Sequence, residues 1–146
     1  MQIIQVKIEH LNLVAPLFDG YRVFYGQKSD LALAESFLRE RIEQKESIIF
    51  VAMESENAIG FTQLYPSFSS VSAERLWILN DLFVLPEVRG KGVGEAILNH
   101  AKQFAKATNS KGLSLETAEN NPAQKLYEKL NWQKEEGFFH YFWKTV

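Results

Sequence analysis

The stretch Leu82-Phe83-Val84-Leu85-Pro86-Glu87-Val88-Arg89-Gly90-Lys91-Gly92-Val93-Gly94-Glu95 constrains the fold of this chain more than any other. An apolar, strand-like run ends, a proline turns the chain, and a basic pair with alternate glycines leads into helical periodicity. The first N–H groups of a helix lack partners within it, and the helix dipole adds partial positive charge there. Glycines remove Cβ atoms, so phosphate oxygens can approach the backbone closely. Arg89 and Lys91 add formal charge at the same place. The turn therefore reads as an anion cradle, although the same glycine spacing also suits a structural tight turn.

Two common phosphate loops do not fit. In a P-loop the lysine precedes Ser or Thr, whereas Lys91 precedes Gly92 and no hydroxyl is offered to magnesium. The dinucleotide fingerprint places a third glycine where this chain has Glu95. A chain of 146 residues is also short for two nucleotide-binding halves.

Around this turn the periodicity alternates between strand and helix. Gln2–Ile8 alternates like a strand, and Leu13, Val14, Leu17, Phe18 and Tyr21 fall at helical spacing within Leu11–Phe24. Asp30 is placed to cap a helix through Leu31, Ala34, Phe37, Leu38 and Ile42. Ser47–Glu54 and Ala58–Tyr65 form a hairpin about the turn Ser55-Glu56-Asn57, with Pro66 expected to end the second strand before a polar loop, Ser67–Ser72. Glu74–Leu85 is the longest strand-like run, followed by a helix ending near Thr108-Asn109. A short strand at Leu113–Glu116, a helix over Asn120–Leu130 with Pro122 in its first turn, and an aromatic strand at Phe138–Lys144 complete the order. This predicts an α/β (α+β) chain with a mixed sheet flanked by helices, organised as one domain over 1–146.

Composition narrows the chemistry. A hydrophobic fraction of 46% argues against disorder, and no apolar run is long enough to span a membrane. The first residues lack a secretory pattern, so a cytoplasmic location is expected. A net charge of −2 argues against a nucleic-acid partner held by phosphate contacts. The absence of cysteine removes disulfides, thiolate metal sites and a thiol nucleophile together. His10, His100 and His140 share no ligand spacing, so no metal site is expected. No Gly-x-Ser-x-Gly elbow offers a serine nucleophile either.

Arg89-x-x-Gly92-x-Gly94 after Val84-x-Pro86 resembles the acyl-CoA pyrophosphate loop of the GNAT superfamily of N-acetyltransferases. Downstream, Asn120-Asn121-Pro122-Ala123-Gln124-Lys125-Leu126-Tyr127 is similar to that family's Asn-x-x-Ala-x-x-x-Tyr helix. The Gly-Phe that trails it in the family is replaced by Asn131-Trp132, and Asn can adopt the left-handed conformation usual for Gly after a helix. The matched motifs span Leu79–Trp132. The resemblance implies the GNAT fold, with about six to seven strands and about four helices. It implies acetyl-CoA (released as CoA) as co-substrate, held by the backbone of Arg89, Gly90, Lys91, Gly92, Val93, Gly94 and the adjoining Glu95. Phe83, Val84 and Leu85 would pair with the pantetheine arm as a neighbouring strand would, and an N–H near Val84 or Leu85 would polarise the thioester carbonyl. Asn120, with Ala123 in its motif, would hold the arm, and Tyr127 would protonate the departing thiolate. A phenol with a pKa near 10 is roughly suited to that proton transfer. Outside the motif, Tyr127 would read as a packed tyrosine beside Leu126 and Leu130.

The acceptor side is less defined. Several family members that acetylate polyamines carry Glu where this chain has Asn80, which cannot act as a base. Asp81 is adjacent, but alternation turns it to the opposite face unless a bulge intervenes, and a structural role competes with a catalytic one. Glu116 is another candidate carboxylate. Tyr21, Phe24 and Tyr25 could enclose an ammonium, while Arg22 could hold a carboxylate of an amino-acid acceptor or pair internally. The reading that results is acetyl transfer to a small primary amine by direct displacement in a ternary complex. A protein, histone-tail or N-terminal acetyltransferase and a non-catalytic CoA-binding module remain alternatives. An aromatic C-terminal strand at a sheet edge would need cover, so a homodimer is expected.

Overall fold

Alternating apolar residues build the strands, and helices bury the apolar faces of the sheet they form. The computed structural model describes residues 1–146 and divides into two compact units, Met1–Glu116 and Thr117–Val146. The first contains β1 (Gln2–Gln5), α1 (Leu11–Phe24), α2 (Leu31–Glu43), β2 (Ile48–Glu54), β3 (Asn57–Ser69), β4 (Glu74–Val84), α3 (Val93–Ala107) and β5 (Leu113–Ser114). The second contains α4 (Gln124–Lys129).

The five strands lie in the order β1-β2-β3-β4-β5. The first three pairings are antiparallel and β4 pairs with β5 in parallel, giving the expected mixed sheet. On one face, Val14, Ala15 and Phe18 of α1 and Ala34 and Leu38 of α2 bury Ile49, Val51, Phe61 and Phe83. On the other, Val93 and Ile97 of α3 pack with Ala52 and Ile59. Each fully buried Leu, Ile or Phe stabilises the fold by about 1.5–3 kcal/mol. At Gly60, α3 packs closely on β3. A Cβ there would meet Ile97 Cδ1 and the Phe83 carbonyl oxygen at 3.1 Å.

Short-range signals translate directly. Asp30 caps α2 by accepting from the Leu33 N–H at 3.1 Å. At the end of α4, Asn131 takes a left-handed φ of 67°, as its position after the helix predicts. Trp132 N–H donates to Tyr127 O at 2.9 Å and Asn131 N–H to Glu128 O at 3.1 Å, which together form a Schellman cap.

Three expectations require correction. Pro66 does not end β3, which continues to Ser69. Beyond Leu64 the pairing with β2 stops, so Pro66 lies where β3 has only β4 beside it and a missing N–H is tolerated. The helix expected over Asn120–Leu130 begins only at Gln124, because a residue before proline disfavours helical geometry and the Asn121 side chain instead accepts from Ala123 N–H. The aromatic segment Phe138–Lys144 forms no strand, so the sheet has five strands. A strand persists only where another strand takes its N–H and C=O groups, and this segment has no ladder partner.

Candidate active site

The glycine-rich turn follows from β4 outward. Pro86–Val88 makes one 3-10 turn, Arg89 is extended, and Gly90 and Gly92 take φ of 79° and 85°. Gly92 is the N-cap of α3, in left-handed geometry and without a side-chain cap, and Ala96 N–H makes the first helical bond to its carbonyl. The N–H groups of Gly90, Lys91, Gly92, Val93 and Gly94 donate to no other backbone group. A Cβ at Gly90 or Gly92 would meet nothing within 4 Å, so space lies beside these donors. A row of N–H groups without backbone partners at a helix N-terminus, with open space and a cation at Lys91, fits a pyrophosphate.

The adjoining edge of β4 is open too. β5 pairs only with Trp77 and Ile78, so the strand from Leu79 to Val84 has no neighbour on that side. Leu85 N–H is taken by Ile59 O at 2.9 Å, which commits it toward β3. Alternation then turns the N–H and C=O of Val84 toward the open edge, where Arg89 Nε donates to Val84 O at 2.9 Å. Of the two N–H groups considered from the sequence, Val84 is the one free of the β3 ladder.

The C-terminal turn of α1 sits against this edge. Tyr21 Oη donates to Asn80 O at 3.2 Å, and the Arg89 guanidinium lies over the rings of Phe24 and Phe83 at 5.7 and 5.6 Å. Tyr21 and Tyr25 meet edge to face at 5.0 Å, with Phe24 against Tyr25 at 5.1 Å. Phe24 and Tyr25 remain about half exposed. The connection after them is pinned by Asp19, which accepts from Ser29 Oγ and Asp30 N–H. Those two bonds, with the charge of Arg22, hold the Asp19 carboxyl below its ordinary value. Arg22 Nη1 is buried and has no hydrogen-bond partner.

A bulge does interrupt β4. Gln63 pairs with Asp81 and Leu64 with Leu79, which leaves Asn80 as the extra residue. Asn80 is exposed and Asp81 is 1% exposed, on the face shared with Phe61 and Phe83. Asp81 Oδ2 accepts from Gln63 Nε2 and Oδ1 from Asn80 Nδ2, both at 2.7 Å, and Gln63 Oε1 accepts from Ser47 Oγ at 2.8 Å. Burial pushes the Asp81 carboxyl up to about 6 despite those two donors. Burial likewise raises the Tyr65 phenol to about 12, helped by the charge of Asp81.

Gln63 was not singled out from the sequence. Its signal is the polar pair Thr62-Gln63 inside an otherwise apolar run, and Thr62 Oγ1 donates to Asp81 O at 2.7 Å. Within the second unit, Asn120 lies exposed in the turn before α4. Ala123 immediately precedes that helix, and Tyr127 is half-buried on it, its ring 5.8 Å from that of Trp132.

Comparison with known proteins identifies the family. The family model described as "Acetyltransferase (GNAT) family" matches residues 14–132. The chain is 49% identical over 142 residues to the uncharacterized N-acetyltransferase YhfO of Bacillus subtilis (strain 168), covering 97% of this chain and 95% of that one. It superposes on the crystal structure of a probable acetyltransferase with a TM-score of 0.92 and 42% identity, covering 100% of this chain and 99% of that one. An aminoglycoside N-acetyltransferase in complex with CoA shares the fold, with a TM-score of 0.81 at 21% identity over 99% of this chain and 95% of that one.

Proposed function

Because the chain belongs to the GNAT family of acetyltransferases, we propose that it transfers an acetyl group to the primary amine of a small molecule by direct displacement in a ternary complex. The enzyme is an acetyltransferase that uses acetyl-CoA, which when bound supplies the acetyl group as an activated thioester. The observation that carries the small-amine reading is the junction of Tyr21, Phe24 and Tyr25 with Asn80 and Arg89. An aromatic wall there meets the open edge of β4, just before the anion cradle. Aromatic faces attract an ammonium, which suits an amine carrying more than one cationic group. The unpartnered Arg22 Nη1 supports a second acceptor class, an amino acid whose carboxylate it would receive.

In this account the N–H groups of Gly90–Gly94 hold the pyrophosphate, and Phe83, Val84 and Leu85 lie along the pantetheine arm. Val84 N–H, turned away from β3, stabilises the negative charge that develops on the carbonyl oxygen. Asn120 would bind the arm. As the neutral amine nitrogen bonds to the carbonyl carbon and the carbon–sulfur bond breaks, Tyr127 would give its phenolic proton to the sulfur, and the proton lost by the nitrogen would return to Tyr127 through water. With no cysteine in the chain, no protein thiol can carry the acetyl group between the two substrates.

We place the enzyme in the cytoplasm, where acetyl-CoA is made, and as a homodimer. No helix is long and apolar enough to cross a membrane. Support for the dimer is the C-terminal segment, whose Phe138, Phe139, Tyr141, Phe142 and Trp143 are 81–89% exposed and would be covered by a second copy.

Acceptor class is tested by comparing kcat/KM for diamines, free amino acids and basic peptides. The reading predicts measurable turnover on the free small amines and much less on peptides. Peptides turned over faster than every free amine would make the protein acetyltransferase the correct reading.

A further inference from the structure

A second concave site lies at the end of the sheet where β4 begins. A cavity of about 750 Å³ opens between the end of β1, the start of β2 and α2. Val6, Ile49 and Trp77, all buried, contribute apolar surface. Around them stand Lys7, Arg39, Lys45 and Arg75, with Glu43 as the only carboxylate. Four cations against one carboxylate leave an excess of three positive charges, in a chain whose net charge is −2.

None of these cations is neutralised within the protein. The ion pairs that Arg41 makes with Glu40 and Glu46 involve none of the four. The Arg75 guanidinium is instead held over the rings of Phe68 and Trp77, at 5.2 and 5.4 Å. Lys45 has a left-handed φ of 55° and occupies the exit position of α2, where Glu46 N–H closes the cap on Arg41 O at 2.8 Å. Glycine serves such a cap without strain, and a lysine there is strained by roughly 1 kcal/mol. The cap makes no use of the ammonium, and Lys45 is among the residues that line the cavity.

Unpaired like charges gathered on a partly apolar surface repel one another until an anion sits among them. We propose that this cavity binds a small organic anion with two or more carboxylate or phosphate groups on an apolar body. The site is distinct from the cofactor turn. Arg75 and Val84 stand at opposite ends of β4, separated by roughly 30 Å at the usual rise per residue.

The test is amide NMR on the CoA-saturated protein, so that the cofactor turn is already filled. Citrate or inorganic pyrophosphate is titrated in at ionic strength held constant with sodium chloride. Saturable shifts confined to Gln5–Ile8, Arg39–Ile49 and Arg75–Trp77 are expected, and the tighter of the two probes tells carboxylate from phosphate. The double variant Arg39→Glu, Lys45→Glu should weaken binding at least tenfold, about 1.4 kcal/mol, with acetyl-transfer turnover unchanged. Lys45→Gly should weaken binding while retaining or raising Tm, because it removes the charge and the strain together. Shifts that do not saturate, that spread over the exposed lysines generally, or that survive the double variant would overturn the proposal.

Discussion

Asp81 shows how one residue ties stability to pH. Its carboxyl is pushed from 3.8 to about 6 by burial, so between those values the native state holds a proton that the unfolded state has released. The stability it contributes is complete below pH 3.8 and is lost as the pH rises through about 6. Thermal melts of the wild type and Asp81→Asn should therefore diverge, the wild type losing Tm relative to the variant as pH is raised across that window. Parallel curves would show that burial does not set this proton. Tyr127→Phe is expected to slow turnover by about 10²-fold or more, with acetyl-CoA affinity within a few-fold. Unchanged turnover would remove the acid role. At this scale, what the sequence revealed was local. The Asp30 cap and the left-handed Asn131 depend on neighbours a few positions away. Asp81 depends on the bulge at Asn80 and on Gln63 and Ser47, which only the sheet register brings to it.

At the scale of elements, the strand–turn–helix around Gly92 and the docking of α3 on β3 shape the proposed cofactor site. Gly92→Ala puts a side chain at φ 85°, at a cost of roughly 1 kcal/mol, and disturbs the N–H row directly. The rise in Tm that CoA produces in the wild type should shrink in this variant, and an unchanged rise would detach the turn from CoA binding. Gly60→Ala acts through packing. The added Cβ presses on the Phe83 backbone carbonyl and on Ile97, so a loss of about 1–3 kcal/mol is expected in denaturant unfolding. No loss would mean that α3 is free to shift. Periodicity made α1, α2 and α3 legible because each buries one continuous stripe. It misjudged Pro66, since a proline's effect on a strand depends on whether a neighbour needs its N–H, and that is decided by the length of β2.

For the whole molecule, the C-terminal segment raises the question of assembly. Its aromatic run reads as a strand from composition alone, but a strand also needs an edge, and that information lies outside the segment. If a second copy supplies the cover, light scattering will give a dimer, and Phe139→Ser with Trp143→Ser will give a monomer. A wild-type monomer at working concentration would contradict the assembly. The family and the mixed sheet flanked by helices were readable because two motifs at fixed separation and the alternation of elements pointed to the same fold. The acceptor was not, because the residues proposed to meet it, on α1 and at the bulge of β4, are brought together only by the fold. The most direct test of the central claim is release of free CoA thiol from acetyl-CoA, followed with and without each member of a small-amine panel. The account predicts steady release that requires both acetyl-CoA and an amine, with one acetylated amine formed per thiol. Acetyl-CoA binding with no amine-dependent release across the panel, or a stoichiometric burst of thiol without any amine, would contradict it.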